Sequence, residues 1–281
     1  MSGVVCGLLL SLAAGGGLLA DSLIFTDPST GFSTDGSVWI RYGALALLTL
    51  IFLFLARPGT AVQGRQNERS PFLAGVFGMQ AMAFFAGFAL ALAQIAAQTS
   101  AAGGLFDRYT GERTFDLAAV LLAVGWLAGG FWCGWIVVGF VRGTKQPAGT
   151  LLLGIITTIA CFVLCARRFV FSPTSIQRVT PTLDLISALA AMLLCCGLLR
   201  QLYLPAEEHQ PKRLCFFGLT AFLFDFCVVG AKQVARLSLG QSVLEEIGDL
   251  PLLFLGLLGA AVAIETLRMN PRQRPAHFSK E

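Results

Sequence analysis

Residues 117–141 read LAAVLLAVGWLAGGFWCGWIVVGFV, a run without a single charged side chain. A helix of about 20 apolar residues is long enough to cross a hydrocarbon core of about 30 Å. Because lipid offers the backbone no hydrogen-bond partners, a run of this kind must cross it as an α-helix. The stretch therefore predicts a membrane-spanning helix.

Similar apolar runs lie on both sides of this one, and the short segments between them hold most of the charge and proline. Together the runs predict an all-α, polytopic transmembrane helix bundle of about eight spans, folded as a single integral membrane domain over residues 1–281. The predicted spans are residues 2–20, 38–56, 71–98, 117–141, 147–166, 181–204, 214–236 and 251–267.

The composition excludes a water-soluble globular domain. Hydrophobic residues make up 56% of the chain and charged residues 13%, against about 25% charged in soluble domains. The net charge of +4 comes largely from loops and the C-terminal tail. We therefore attribute it to membrane topology and expect the lipid bilayer, and no nucleic acid, as a partner. Residues 4–20 resemble a secretory signal but lack a basic start, so we keep them as the first span.

The distribution of Lys and Arg between the loops orients the chain. Residues 21–37 hold three aspartates and no basic residue, whereas residues 57–70 hold three arginines. With both termini in the cytoplasm, the inner segments collect eleven basic residues and the outer segments six. This bias predicts cytoplasmic termini and a place in the cell or cytoplasmic membrane. The loop with Arg167, Arg168 and Arg178 runs against it, so either that loop uses positive charge or one predicted span is wrong.

Asp225 is the strongest functional candidate. It lies eleven residues into the seventh span, about 16 Å from the inner end and close to the midplane. An ionisable group at that depth costs about 2.5–3.5 kcal/mol, so it needs a partner, a water-filled cavity or a purpose. We expect Asp225 either to carry a proton or to pair with Lys232 or Arg41. A structural ion pair and a coupling or substrate-binding carboxylate are both open at this point.

Further charged residues are predicted to gather in the outer half of the bundle as a polar, outward-facing vestibule. The sixth and seventh spans are antiparallel neighbours, which places Asp184 near the level of Lys232 and allows them to pair. The competing interpretation is that charges at helix ends are simply solvated interfacial residues. The predicted binding or coupling residues are Asp225, Lys232, Arg236, Asp184, Arg41, Arg167 and Arg168. Asp116, Glu245, Glu246 and Asp249 are predicted at the same outer level.

No catalytic, cofactor or metal motif stands out in the sequence. His209 lies in a loop and His277 in the tail, so we expect no haem. All eight cysteines fall in apolar runs without a Cys-x-x-Cys spacing, so we expect neither a metal nor another cofactor.

The leading functional prediction is a permease-like protein or membrane subunit that handles an anionic solute or a lipid headgroup, with Asp225 as a coupling or gating carboxylate. A non-catalytic scaffold or sensor subunit is one alternative. It would contact other membrane subunits through the fourth span, whose glycines, such as Gly125, Gly129 and Gly134, permit close helix packing. A membrane enzyme acting on a lipid-linked substrate is the other alternative.

Overall fold

The computed structural model describes residues 2–26, 37–56, 70–101, 116–171, 179–204, 210–240 and 248–266. Within these ranges the regular elements are all helices, so the all-α prediction is confirmed. The helices are α1 (Ser2–Ile24), α2 (Val38–Leu55), α3 (Pro71–Ala101), α4 (Leu117–Arg142), α5 (Thr150–Phe171), α6 (Val179–Tyr203), α7 (Gln210–Ala221), α8 (Val229–Ser238) and α9 (Asp249–Glu265). A π-helical segment (Phe222–Val228) joins α7 to α8.

Seven helical stretches in the described part of the chain are long and apolar enough to cross a membrane. They are α1 to α6 and the continuous rod that α7, the π-helical segment and α8 form together. The eighth predicted span is present as α9, which has 17 residues. Large apolar side chains such as Phe54, 82% exposed, and Met82, 73% exposed, point away from the bundle. Their exposure fits a surface that contacts lipid, and the chain is a helical membrane protein.

Local signals explain where several helices begin and end. Ser70 precedes Pro71, and its hydroxyl accepts a hydrogen bond from the Leu73 N–H at 3.4 Å, so Ser70 caps α3. Asp116 caps α4 by accepting from the Ala118 N–H at 2.9 Å. Gly143, with φ of 70°, ends α4 in the left-handed conformation that glycine adopts most readily.

Two predicted helix starts differ from the structure. We predicted a start at Pro147, but α5 begins at Thr150, whose hydroxyl donates to the Pro147 carbonyl at 2.7 Å. That bond closes a turn before the helix, so Pro147 stays outside it. The sixth span was predicted to begin at residue 181, but α6 begins two residues earlier, at Val179.

The glycines of α4 bring neighbouring helices close. A Cβ atom at Gly125 would lie 2.0 Å from the Ala160 Cβ of α5, and one at Gly129 would lie 2.9 Å from the Phe84 ring of α3. These glycines therefore pack α4 within its own chain, as small residues do between membrane helices. Gly134 differs, since a Cβ atom added there would meet nothing within 4 Å.

The last helix, α9, packs antiparallel to the rod of α7, the π-helical segment and α8. Gly259 meets Gly218, and earlier in α9 Gly256 meets Phe226, so the two segments run in opposite directions. A Cβ at Gly218 would lie 2.5 Å from the Gly259 carbonyl oxygen, and one at Gly259 would lie 2.6 Å from the Gly218 oxygen. The close contact carries the start of α9, with Asp249, to the level of Lys232 and Gln233.

Candidate functional site

Ion pairs join several helices at one end of the bundle, which we call the charged end. There α1 ends and α2 begins, and Arg41 donates to the Asp21 carboxylate at 2.9 Å. On the other side of the bundle, Arg167 of α5 donates to the Asp116 carboxylate at 2.8 Å. The charged end is the one that the sequence predicts to face outside.

Four buried charged side chains form the centre of the charged end, and we call them the buried tetrad (Arg168, Asp184, Lys232 and Asp249). Arg168 donates to the Asp249 carboxylate at 2.6 Å. Lys232 lies between the two carboxylates, 2.9 Å from Asp184 and 3.3 Å from Asp249. Two cations thus face two carboxylates, and the tetrad as a whole is electrically balanced.

Neutral groups complete the hydrogen bonds of the tetrad. Arg168 also donates to the Asp184 carbonyl oxygen at 2.6 Å and to the Ser187 hydroxyl at 3.0 Å. The Gln233 amide donates to the second oxygen of Asp249. Asp249 is the first residue of α9, so its carboxylate also lies where the helix dipole favours negative charge. Buried ions are tolerated when they are paired and hydrogen-bonded in this way.

A crevice between α1, α6 and α8 leads down to the tetrad. It encloses about 380 Å³, including the space at its mouth. Asp21 and Ser22 line one wall, and Asp184 and Lys232 line the opposite side. Val228, at the end of the π-helical segment, also contributes to the lining. The crevice therefore brings a few charged and hydroxyl groups together on a largely apolar surface, and it reaches one helical turn from Asp225.

Asp225 lies at the centre of the π-helical segment and is 0% exposed. Among the described residues, neither of its carboxylate oxygens has a hydrogen-bond partner. The ion pair predicted with Lys232 or Arg41 is not formed, because Lys232 is drawn to Asp184 and Asp249 and Arg41 to Asp21. Arg168 is the cation that interacts electrostatically with Asp225.

The π-helical segment interrupts a long helix at the position of Asp225. The Val229 N–H donates to the Phe224 carbonyl, five residues back, instead of the usual four. Short π-helical turns inside α-helices are found often at functional sites. The backbone distortion thus coincides, in the same turn, with a carboxylate that has no hydrogen-bond partner in the described part of the chain.

The structure brings together some of the predicted site residues and separates others. Asp184 and Lys232 meet, as predicted from the antiparallel arrangement of their spans. Arg167 and Arg168 are adjacent in sequence but bind different carboxylates, Asp116 and Asp249. Arg236, one turn beyond Lys232, is half-buried. Arg178, Glu245 and Glu246 lie outside the described residues.

Two members of the hydrogen-bond network were missed from the sequence. Gln233 follows Lys232 directly, and a polar amide within a predicted apolar span indicates an interhelical hydrogen bond. Ser187 lies three residues after Asp184 on the same helix face, a spacing that could have identified it. The buried Thr157 hydroxyl takes no part in this network, because it donates to the Leu153 carbonyl of its own helix at 2.8 Å.

The described residues contain no group of three or more His, Cys, Asp and Glu side chains placed to hold a metal ion. Comparison with protein-family models, with curated proteins and with solved structures finds no match to this chain.

Proposed function

We propose that the chain is a permease-like membrane protein that moves a solute with an anionic group, using the crevice as its entry and Asp225 as its coupling carboxylate. The observation that carries this proposal is the state of Asp225. It is fully buried, it has no hydrogen-bond partner among the described residues, and it lies in a π-helical turn one turn from the crevice.

A purely structural role gives no account of this carboxylate. A carboxylate at mid-span costs about 2.5–3.5 kcal/mol, and a structural one would recover part of that cost through hydrogen bonds. Asp225 makes none within the described part of the chain. Ionisable residues of this kind in membrane proteins mark proton or substrate pathways.

Lys232 is the cation best placed to recognise the solute. It lines the crevice, and its ammonium group already binds a carboxylate, that of Asp184, at 2.9 Å. An anionic group that enters the crevice can replace Asp184 at this ammonium. Arg167 and Arg168, which we predicted as attracting cations, are bonded to Asp116 and Asp249 and serve better as anchors of the helices.

Coupling to a proton follows from the charge balance of the site. The buried tetrad holds two positive and two negative charges, so an anion that enters beside it adds an uncompensated charge in a medium of low dielectric constant. A proton that moves onto Asp225 at the same time keeps the local net charge constant. Anion entry and proton uptake therefore favour each other.

The test uses vesicles that contain the purified protein and a trapped pH-sensitive dye. Added lactate, succinate and glycerol phosphate serve as the anion set, and at least one should drive protons inward through the wild-type chain. Asp225→Asn should abolish this movement. Glu265→Gln is the matched control, because Glu265 is also a buried carboxylate but lies at the other end of α9. The proposal fails if Asp225→Asn moves protons like the wild type, or if no anion of the set drives them.

A membrane enzyme acting on a lipid-linked substrate is the second candidate. The observation in its favour is that Asp184, a carboxylate, and Lys232, a base or cation, lie side by side in a crevice near a helix end. This function predicts that the wild-type chain, but not Asp184→Asn, changes the mass spectrum of an added membrane lipid extract. A scaffold function draws less support, because Gly125 and Gly129 are covered by the chain's own helices.

A further inference from the structure

A second groove lies between the end of α6 and the start of α7, at the end of the bundle opposite the charged end. It encloses about 690 Å³, including open space at its mouth. Arg200 and Arg213 line its polar part, and Cys196, Leu214 and Phe217 line its apolar part. None of these residues belongs to the crevice or to the buried tetrad.

The position of the two arginines matches the level of lipid headgroups. Arg200 is in the last turn of α6, and Arg213 is in the first turn of α7. Helix ends of membrane-spanning helices lie near the boundary between hydrocarbon and headgroups. The groove thus presents cations at the boundary and apolar side chains below it.

The positive charge of Arg213 does not stabilise the helix in which it lies. The first turn of a helix carries partial positive charge, so cations there are unfavourable and anions favourable. Nevertheless Lys212 and Arg213 both occupy the first turn of α7, and both are exposed. An anion held between the α7 N-terminus and these side chains would reverse the unfavourable interaction.

The apolar part of the groove suits an acyl chain. Cys196 is exposed on α6, whereas Gly197 beside it is buried, and a Cβ atom there would lie 2.9 Å from the Phe217 ring of α7. Phe217 of α7 is half-buried, so its ring leaves an apolar surface next to Cys196 in the groove. Arginine binds phosphate in a bidentate manner, and basic pockets between membrane helices bind anionic lipid headgroups.

We propose that this groove binds one anionic phospholipid, with its phosphate between Arg200 and Arg213 and an acyl chain against Cys196 and the Phe217 ring. Arg200 also has a contact within the protein, so Arg213 supplies the more accessible charge. The connection from residue 200 to residue 213 has three basic residues and two glutamates, a net charge of +1. The site is independent of the function proposed for Asp225.

The test compares phosphatidylglycerol and phosphatidylcholine binding to the purified full-length chain by native mass spectrometry. The wild type should retain phosphatidylglycerol at least about tenfold more strongly than phosphatidylcholine, because the two arginines attract the net negative headgroup. R200Q/R213Q should lose this preference. R142Q/K145Q is the matched control, because it removes two cations that lie at the same end but outside the groove.

A second variant separates the acyl contact from the charge. Cys196→Trp fills the apolar part and keeps both arginines, so phosphatidylglycerol binding should fall while melting temperature is unchanged. Glycerol phosphate, added in excess, should not displace the lipid. The proposal is overturned if R200Q/R213Q binds phosphatidylglycerol like the wild type, if R142Q/K145Q loses as much binding, or if glycerol phosphate alone displaces the lipid. It is equally overturned if a folded Cys196→Trp chain binds normally.

Discussion

Lys232 lies 2.9 Å from Asp184 and 3.3 Å from Asp249, and all three side chains are buried. A charge in such a place is stable only while its partners balance it. Removing one partner leaves an unpaired buried charge, whereas removing an oppositely charged pair leaves the remaining charges balanced. Removing a single charge from the tetrad should therefore destabilise the protein more than removing an oppositely charged pair. Surface ion pairs should not show this difference.

We predict that Lys232→Met lowers the free energy of unfolding by about 3–5 kcal/mol, the range for breaking a buried pair. The double variant Asp184→Asn/Lys232→Met should recover much of this loss, because Arg168 and Asp249 still balance each other. Arg167→Met is the control, since its partly exposed pair with Asp116 should cost about 1 kcal/mol or less. Unfolding by a denaturing detergent measures all three. Additive losses in the double variant would contradict the assignment.

For single residues, the sequence predicted the depth of a charged side chain in the membrane better than it predicted which partner that side chain binds. Counting residues from helix ends placed Asp184 and Lys232 at one depth, and the pair is present. For Asp225 the sequence left open a proton or a pair with Lys232 or Arg41, and neither pair is present among the described residues. Depth follows from helical rise alone, whereas the choice among several carboxylates depends on which helix packs alongside, and α9 brings Asp249 to Lys232.

The element that decides this arrangement is the contact between α9 and the seventh span. Gly218, Gly256 and Gly259 let the two backbones approach until a Cβ would lie within 2.6 Å of a backbone atom. The contact is also adjacent to the π-helical segment, because Gly256 meets the Phe226 backbone. Helix packing, the π-helical turn and the position of Asp249 are thus connected.

We predict that Gly259→Ala destabilises the protein by roughly 1–3 kcal/mol, as overpacking of a tight contact does. Gly134→Ala is the matched control, because open space surrounds that position and alanine favours a helix by about 0.5–1 kcal/mol. Melting temperatures in detergent compare the two variants. Equal melting temperatures for Gly259→Ala and Gly134→Ala would contradict the close approach of α9.

Helices were predictable from the sequence, and their distortion was not. The eight apolar runs are long and largely uncharged, so each predicted span contains a helix, with ends shifted by a few residues. The π-helical segment carries no local signature, since residues 222–228 read FLFDFCV and, apart from the aspartate, resemble any apolar span. Phe226, within this segment, contacts Gly256, which lies thirty residues further along the chain. A local sequence pattern does not encode a contact at that separation.

In the whole molecule, the packing of the helices brings charged residues from distant parts of the sequence to the same end of the bundle. Asp21, Asp116, Asp184 and Asp249 come from four separate parts of the chain, and the structure places them all at the charged end with their cations. The crevice opens at this end. The distribution of Lys and Arg predicts that the charged end faces outside. The proposed transport function therefore requires a bundle that crosses the membrane with the crevice open to the exterior.

Cysteine accessibility in intact cells is the decisive measurement of this orientation. Ser238→Cys, Ser22→Cys and Lys145→Cys place a thiol at the charged end, in the crevice and at the opposite end. A membrane-impermeant maleimide, with the wild-type chain as background, should label the first two in intact cells and Lys145→Cys only after permeabilisation. Labelling of Lys145→Cys but not Ser238→Cys in intact cells would contradict the orientation. An unreactive Ser22→Cys beside a reactive Ser238→Cys would contradict an open crevice.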